Sequence, residues 1–336
     1  MESAAEGRAS GALEAVLAAV ARRRRLQAAL SRVLEERGYA EIAVPLLQPA
    51  VQGEATGEWG PAYRVLDQDG EVLELRPDVT GPVARLCAKG DAAGPRPRRL
   101  YYQASIFRRL PGGRPREIAQ AGAERIGGGD SVVERAEADA EMLTLAAECL
   151  REAGARGFLL VLGNAAYVRE RLRECGAAVA PAEAALRARD RVGLAAVVDA
   201  AVAEGFAWRG GLGAALAGGL VGAGAAAREW RGLLRRLQRA GMEGVVLVEP
   251  GLLLPGTYYS GAVFEVLVPG VPWPVGDGGR YDGLLGRWGD PEPAVGFALD
   301  CDRLLRAMDG EAPSEGTHRA WAAVRDAGPA QGANGR

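Results

Sequence analysis

Apolar positions along the chain switch between the three-and-four spacing of a helix and the alternate spacing of a strand, and the switches mark out the elements. Leu13 to Arg37 carries the helical spacing, and Gly38 follows where a left-handed residue commonly ends a helix. GYAEIAVPLLQP (38–49) predicts a turn and a strand stopped at Pro45. Tyr63–Asp67 and Glu71–Leu75 flank a Gln-Asp-Gly turn and predict a hairpin. Asp78 to Lys89 predicts a short helix entered through Arg76-Pro77. Arg99 to Phe107 predicts an aromatic-rich strand, followed by the loop RRLPGGRPR and a second strand over 117–126. Asp130 to Ala153 is an amphipathic helix and FLLVLG (158–163) a buried strand. From about 165 to 240 the chain turns to helices separated by glycines, a shift in composition that marks a helical insertion. Strand signal returns at Gly244–Glu249 and Tyr258–Val268. A Gly-rich turn (GDGGRYDG, 276–283), a strand at Ala294–Leu299 and a helix from Cys301 follow. The expected fold class is α+β, a mainly antiparallel sheet flanked by helices, with one core over residues 1–310 and a disordered tail at 311–336.

One predicted strand carries an unusual face. In REIAQAGAERIG (116–127), Ile118, Gln120, Gly122, Glu124 and Ile126 share one side at a period of two. An amide and a carboxylate on an otherwise apolar face are costly unless something meets them. Gly122 between them leaves room for a small body against the sheet. An edge strand with a solvated polar face fits the same residues, and this segment alone leaves both readings open.

Composition narrows the chemistry. The 336 residues are 48 % apolar with a formal charge of −2, which does not suggest bulk nucleic-acid binding. Four scattered cysteines (Cys87, Cys149, Cys175, Cys301) form no CxxC pair, so reduced thiols in a cytoplasmic protein are expected and a zinc site is not. The only histidine, His318, lies in the tail, which leaves no material for a histidine-based triad or metal site. No apolar run reaches membrane-spanning length, and no signal peptide is expected at the start.

Four stretches, in order, resemble the histidyl-tRNA synthetase core of the class II aminoacyl-tRNA synthetase fold: LRPDVTGPVAR (75–85), the span from Arg98 to Gly127, YYSGAVFEV (258–266), and GDGGRYDGL with PAVGFALDCDRLL (276–305). GYAEIAVP (38–45) resembles the class II dimer-interface motif. The resemblance implies that Asp78, Thr80 and Gln120 hold an amino acid's ammonium group, with aspartate in place of the usual glutamate. It also implies that Glu124 and Tyr259, the latter beside Tyr258, recognise an imidazole. An imidazole offers one donor and one acceptor, so a carboxylate and a phenol can satisfy both. Tyr259 and Gly261, read on one strand face, repeat the arrangement of Gln120 and Gly122.

The departures from that family bear on activity. Arg108 and Arg303 remain as a vestigial nucleotide site, but the adenine-reading glutamate is Leu110 and the arginine before the tyrosine pair is Leu254. The aspartate before the tyrosines is Thr257, and a glycine that makes room for ATP is Asp300. An apolar Leu254 cannot stabilise charge on a phosphoryl group. No catalytic residue, metal or other cofactor is therefore expected. The pattern resembles the regulatory subunits of ATP phosphoribosyltransferase, synthetase paralogues of histidine biosynthesis. That implies a short-form catalytic subunit as partner, L-histidine as effector, a homodimer within a hetero-octamer, and no nucleic acid or membrane. The alternatives are a truncated synthetase forming histidyl-adenylate and a free-standing histidine-binding module.

Overall fold

The computed structural model describes residues 2–50, 62–89, 96–109, 115–129 and 131–309, without the side chains of 2–12, 89, 109, 115 and 116. Helix α1 (Glu2–Glu36) starts earlier than its apolar spacing indicates. It buries Leu26, Leu30, Val33 and Leu34 at helical spacing, and Gly38 ends it at φ +78°. Strand β1 (Ala40–Glu41) pairs parallel to β5 (Arg98–Arg109). Beyond Pro45 the chain forms β2 (Leu47–Pro49), which the proline stop concealed. It joins the hairpin strands β3 (Tyr63–Leu66) and β4 (Val72–Leu75) in a three-stranded sheet of order β2-β4-β3, with Pro49 on an edge strand where a lost N–H is tolerated. Helix α2 (Thr80–Lys89) follows.

The long hairpin of β5 and β6 (Pro115–Ile126) starts the main sheet. Helix α3 (Val132–Glu152) opens with a capping box between Ser131 and Glu134. Strand β7 (Leu159–Asn164) then leads into α4 (Ala165–Glu174), α5 (Val179–Arg187), α6 (Arg191–Ala195) and α7 (Ala200–Ala207). The two-residue β8 (Gly210–Gly211), the single turn α8 (Leu212–Ala214) and α9 (Ala225–Arg239) complete this helical insertion. It returns through β9 (Val246–Val248), which pairs parallel to β7. Helix α9 buries Trp230, Leu233, Leu234 and Leu237, so the insertion shares the core of the main sheet.

Strands β10 (Ala262–Leu267), β11 (Gly276–Arg280) and β12 (Ala294–Asp300), with helix α10 (Cys301–Asp309), close the fold. The nine-stranded order is β1-β5-β6-β12-β11-β10-β7-β9-β8, antiparallel except at β1/β5 and β7/β9. Two expectations are corrected. The Gly-rich stretch from Gly276 is an interior strand, not a turn. A Cβ at Gly276 or Gly278 would stand 2.5 Å from a carbonyl oxygen of Ala298 or Gly296, so glycine here permits close backbone approach. Tyr258 and Tyr259 precede β10 in a turn, so Tyr259 and Gly261 do not share a strand face. The tail 311–336 and Leu110 lie outside the described residues.

Candidate functional site

The alternation on β6 separates two environments. Ala119, Ala121 and Ala123 back onto the helices of the large core, while Ile118 and Ile126 join a smaller cluster with Val83, Tyr102 and Tyr281. On the latter side α2, the 258–261 turn and strands β6, β11 and β12 enclose a cleft of about 410 Å³ including its mouth. Asp78, Thr80, Gln120, Tyr258 and Tyr259 line it together, as does Arg108.

Glu124 lies just beneath the floor, 1 % exposed. The Thr80 hydroxyl donates to its Oε1 at 2.7 Å, and the Tyr281 hydroxyl donates to its Oε2. Gly296 on β12 leaves the space its carboxylate occupies, since a Cβ at 296 would collide with Oε2. Burial raises the Glu124 carboxyl to about 7; the hydrogen bonds from Tyr281 and Thr80 oppose the rise, and nearby Asp78 adds to it. When Glu124 is ionised both hydroxyl protons point inward to it, so the Thr80 and Tyr281 oxygens keep their lone pairs for the cleft. The floor therefore presents acceptors, suited to a ligand rich in N–H donors.

Asp78, 5 % exposed, accepts the Gly81 N–H at 2.7 Å and so closes the first turn of α2 while lining the cleft. The Gln120 amide makes no hydrogen bond among the described residues and is available to a ligand. Arg108 reaches the cleft with its Nε donating to the Pro77 carbonyl at 2.8 Å. The Tyr258 and Tyr259 rings lie 4.4 Å apart, and both hydroxyls are pushed up by burial. Their turn is tied to the insertion, because Arg169 on α4 donates to the Tyr259 carbonyl at 2.8 Å and to Glu183 at 2.7 Å. Gly279 makes room for the Tyr259 ring.

Several expectations change. The space beside Gly122 is filled by the protein's own Tyr102, whose ring would stand 2.5 Å from a Cβ there, and the space beside Gly261 by Arg280. Arg303 does not line the cleft: it pairs with Asp300 at 3.1 Å and donates to the Pro274 carbonyl at 2.7 Å. Asp300 accepts the Arg303 backbone N–H and so caps α10, which leaves it no place among the cleft-lining residues. Leu254 is buried in the large core, and Thr257 is exposed in the turn. Sequence reasoning missed Tyr281 and Asp277, both in the stretch taken as a turn. Strand alternation over 277–281 is the signal that would have placed Asp277 beside Gly279 on one face. Among the described residues no group of three His, Cys, Asp or Glu side chains could hold a metal ion, and no helix is long and apolar enough to cross a membrane.

The histidyl-tRNA synthetase family model matches residues 11–304. The ATP phosphoribosyltransferase regulatory subunit of Moorella thermoacetica is 38 % identical over 317 residues, covering 86 % of this chain and 80 % of that protein. The protein of the same name from Symbiobacterium thermophilum is 36 % identical, covering 85 % and 76 %. A crystal structure described as an ATP phosphoribosyltransferase regulatory subunit/histidyl-tRNA synthetase from Bacillus halodurans superposes with a TM-score of 0.76 at 28 % identity, covering 87 % of this chain and 80 % of the other. Histidyl-tRNA synthetase from Nostoc sp. PCC 7120, at 17 % identity and a TM-score of 0.70, shares the fold.

Proposed function

We propose, from the premise that this chain belongs to the histidyl-tRNA synthetase family and within it to the ATP phosphoribosyltransferase regulatory subunits, that its cleft is a histidine sensor. The regulatory subunit partners with the catalytic subunit of that enzyme. On this reading the partner is of the short form, and histidine in the cleft transmits feedback inhibition to it within a cytoplasmic hetero-octamer built on homodimers.

The observation that carries the reading is the asymmetry of the cleft. Every residue expected to hold the amino acid lies in or directly under it, while Leu254, at the position where the synthetases carry a phosphate-binding arginine, is buried in the core and does not line the cleft. The ammonium group of the ligand meets Asp78, the Thr80 oxygen and the Gln120 carbonyl. Its imidazole meets the tyrosines and, through the Tyr281 and Thr80 hydroxyls, Glu124. Inhibition then follows from a difference in histidine affinity between two arrangements of the complex.

The test is reconstitution with a short-form catalytic subunit, with phosphoribosyl transfer measured with and without histidine. The expected result is a partner that is slow alone, faster in the complex, and inhibited by histidine only when this chain is present. A partner equally active with and without this chain, or inhibited equally in its absence, would remove the role.

A further inference from the structure

The cleft holds a carboxylate that the histidine reading does not use. Asp277 on β11 also lines it, open to solvent within the cleft. The other acids are already engaged: Asp78 holds the Gly81 N–H, and both Glu124 oxygens accept hydroxyls. Asp277 makes no hydrogen bond or ion pair among the described residues. Surrounding protein nevertheless desolvates it enough to raise its carboxyl, with Arg108 opposing the rise and Glu265, its register partner on β10, adding to it. Among the described residues the cleft is thus lined by two carboxylates and one guanidinium, that of Arg108, whose Nε donates to the Pro77 carbonyl, with Glu124 below.

Resting on the histidine reading, we infer that Asp277 anchors the ligand's ammonium group and sets the charge preference of the site, so that the cleft selects imidazole compounds that carry an ammonium over anionic ones that lack it. Asp277 lines the same cleft as Asp78, Thr80 and Gln120, so it adds a fourth acceptor and a second negative charge for the three ammonium donors to share. Without Asp277 the remaining acceptors are a capping aspartate, an amide and a hydroxyl. The same carboxylate repels phosphate groups, which reinforces the loss of the arginine at Leu254.

The experiment is calorimetric titration of L-histidine, L-histidinol (ring and ammonium, no carboxylate) and imidazolepropionate (ring and carboxylate, no ammonium) into the full chain and its Asp277→Asn variant. The parent is expected to bind histidine and histidinol with similar affinity and imidazolepropionate far more weakly. Asp277→Asn, which keeps size and shape, should weaken both amines about tenfold and narrow their advantage over imidazolepropionate, as loss of a charge-assisted contact does. Rising salt should weaken the parent more than the variant. Unchanged histidine and histidinol affinity in Asp277→Asn, with the parent binding both, would overturn this role and leave the histidine reading standing. A parent that binds none of the three compounds would overturn both.

Discussion

Glu124 and Asp139 are carboxylates of nearly equal burial, 1 % and 5 % exposed, yet the protein surrounds them differently. Asp139 on α3 meets the Arg280 guanidinium at 2.7 Å, and Arg280 in turn donates to Asp282 and to the Arg135 carbonyl, each at 2.9 Å. Burial lifts the Asp139 carboxyl to about 6, against the pull of Arg280, so it is ionised at neutral pH. Burial also works against the charge on Arg280, but Asp139 and Asp282 outweigh it and hold the guanidinium charged. Among the described residues Glu124 has two hydroxyl donors and no cation, and burial lifts it to about 7. An acid that pins α3 to β11 comes with its own counter-charge. Glu124, with no counter-charge of its own, is left near its titration point, with a cleft above it.

Removing the built-in cation is the largest expected effect. Arg280→Met leaves Asp139 buried and uncompensated, which typically costs about 3–5 kcal/mol. Urea unfolding should show the loss directly. Glu124→Gln should cost far less at neutral pH, because the parent already strains to hold that charge. Equal losses for the two variants would break the comparison.

The next effect is in the pH dependence of stability. Below about pH 4.5 both the native and the unfolded chain hold the Glu124 proton. As pH rises from there to about 7, the unfolded chain releases the proton while the native chain keeps it, so this group lowers stability with rising pH. The shift corresponds to about 3 kcal/mol, fully expressed above pH 7. Glu124→Gln should therefore gain stability relative to the parent across that window, measured ligand-free by denaturant unfolding at pH 5 and pH 8. A parent-minus-variant difference that is flat between those values would mean that Glu124 is ionised throughout.

How much of this was legible in the chain depended on what fills the space beside each residue. The two faces of β6 could be read because strand alternation is local: three alanines on one side, and Gln120 and Glu124 between isoleucines on the other. Asp78, Thr80 and the tyrosine pair could be named from their ordered segments, and the fold folds them into one cleft. The glycines misled, because a glycine shows that something comes close without showing what. Tyr102, Arg280, Tyr259 and Glu124 occupy the spaces beside Gly122, Gly261, Gly279 and Gly296, and each comes from a different strand or turn. Reading 276–283 as a turn hid Asp277 and Tyr281 together, since glycine-rich sequence predicts turns until a neighbouring strand demands close approach. Asp300 and Arg303 pair with each other at the start of α10, a helix-end ion pair that the motif alone does not distinguish from a nucleotide contact.

The smallest expected effect is also the most direct test of the central claim, that Glu124 orients the cleft toward an imidazole-bearing amino acid. In the parent the carboxylate draws both hydroxyl protons inward; in Glu124→Gln the amide N–H₂ turns at least one hydroxyl outward as a donor, and an acceptor for the ligand is lost. Calorimetric titration of L-histidine at pH 8, where Glu124 is ionised, into the parent should give saturable binding at one site per chain. The Glu124→Gln variant, still folded, should bind about tenfold more weakly, or about 1.4 kcal/mol. No binding to the parent, or equal affinity in parent and variant, would contradict the account.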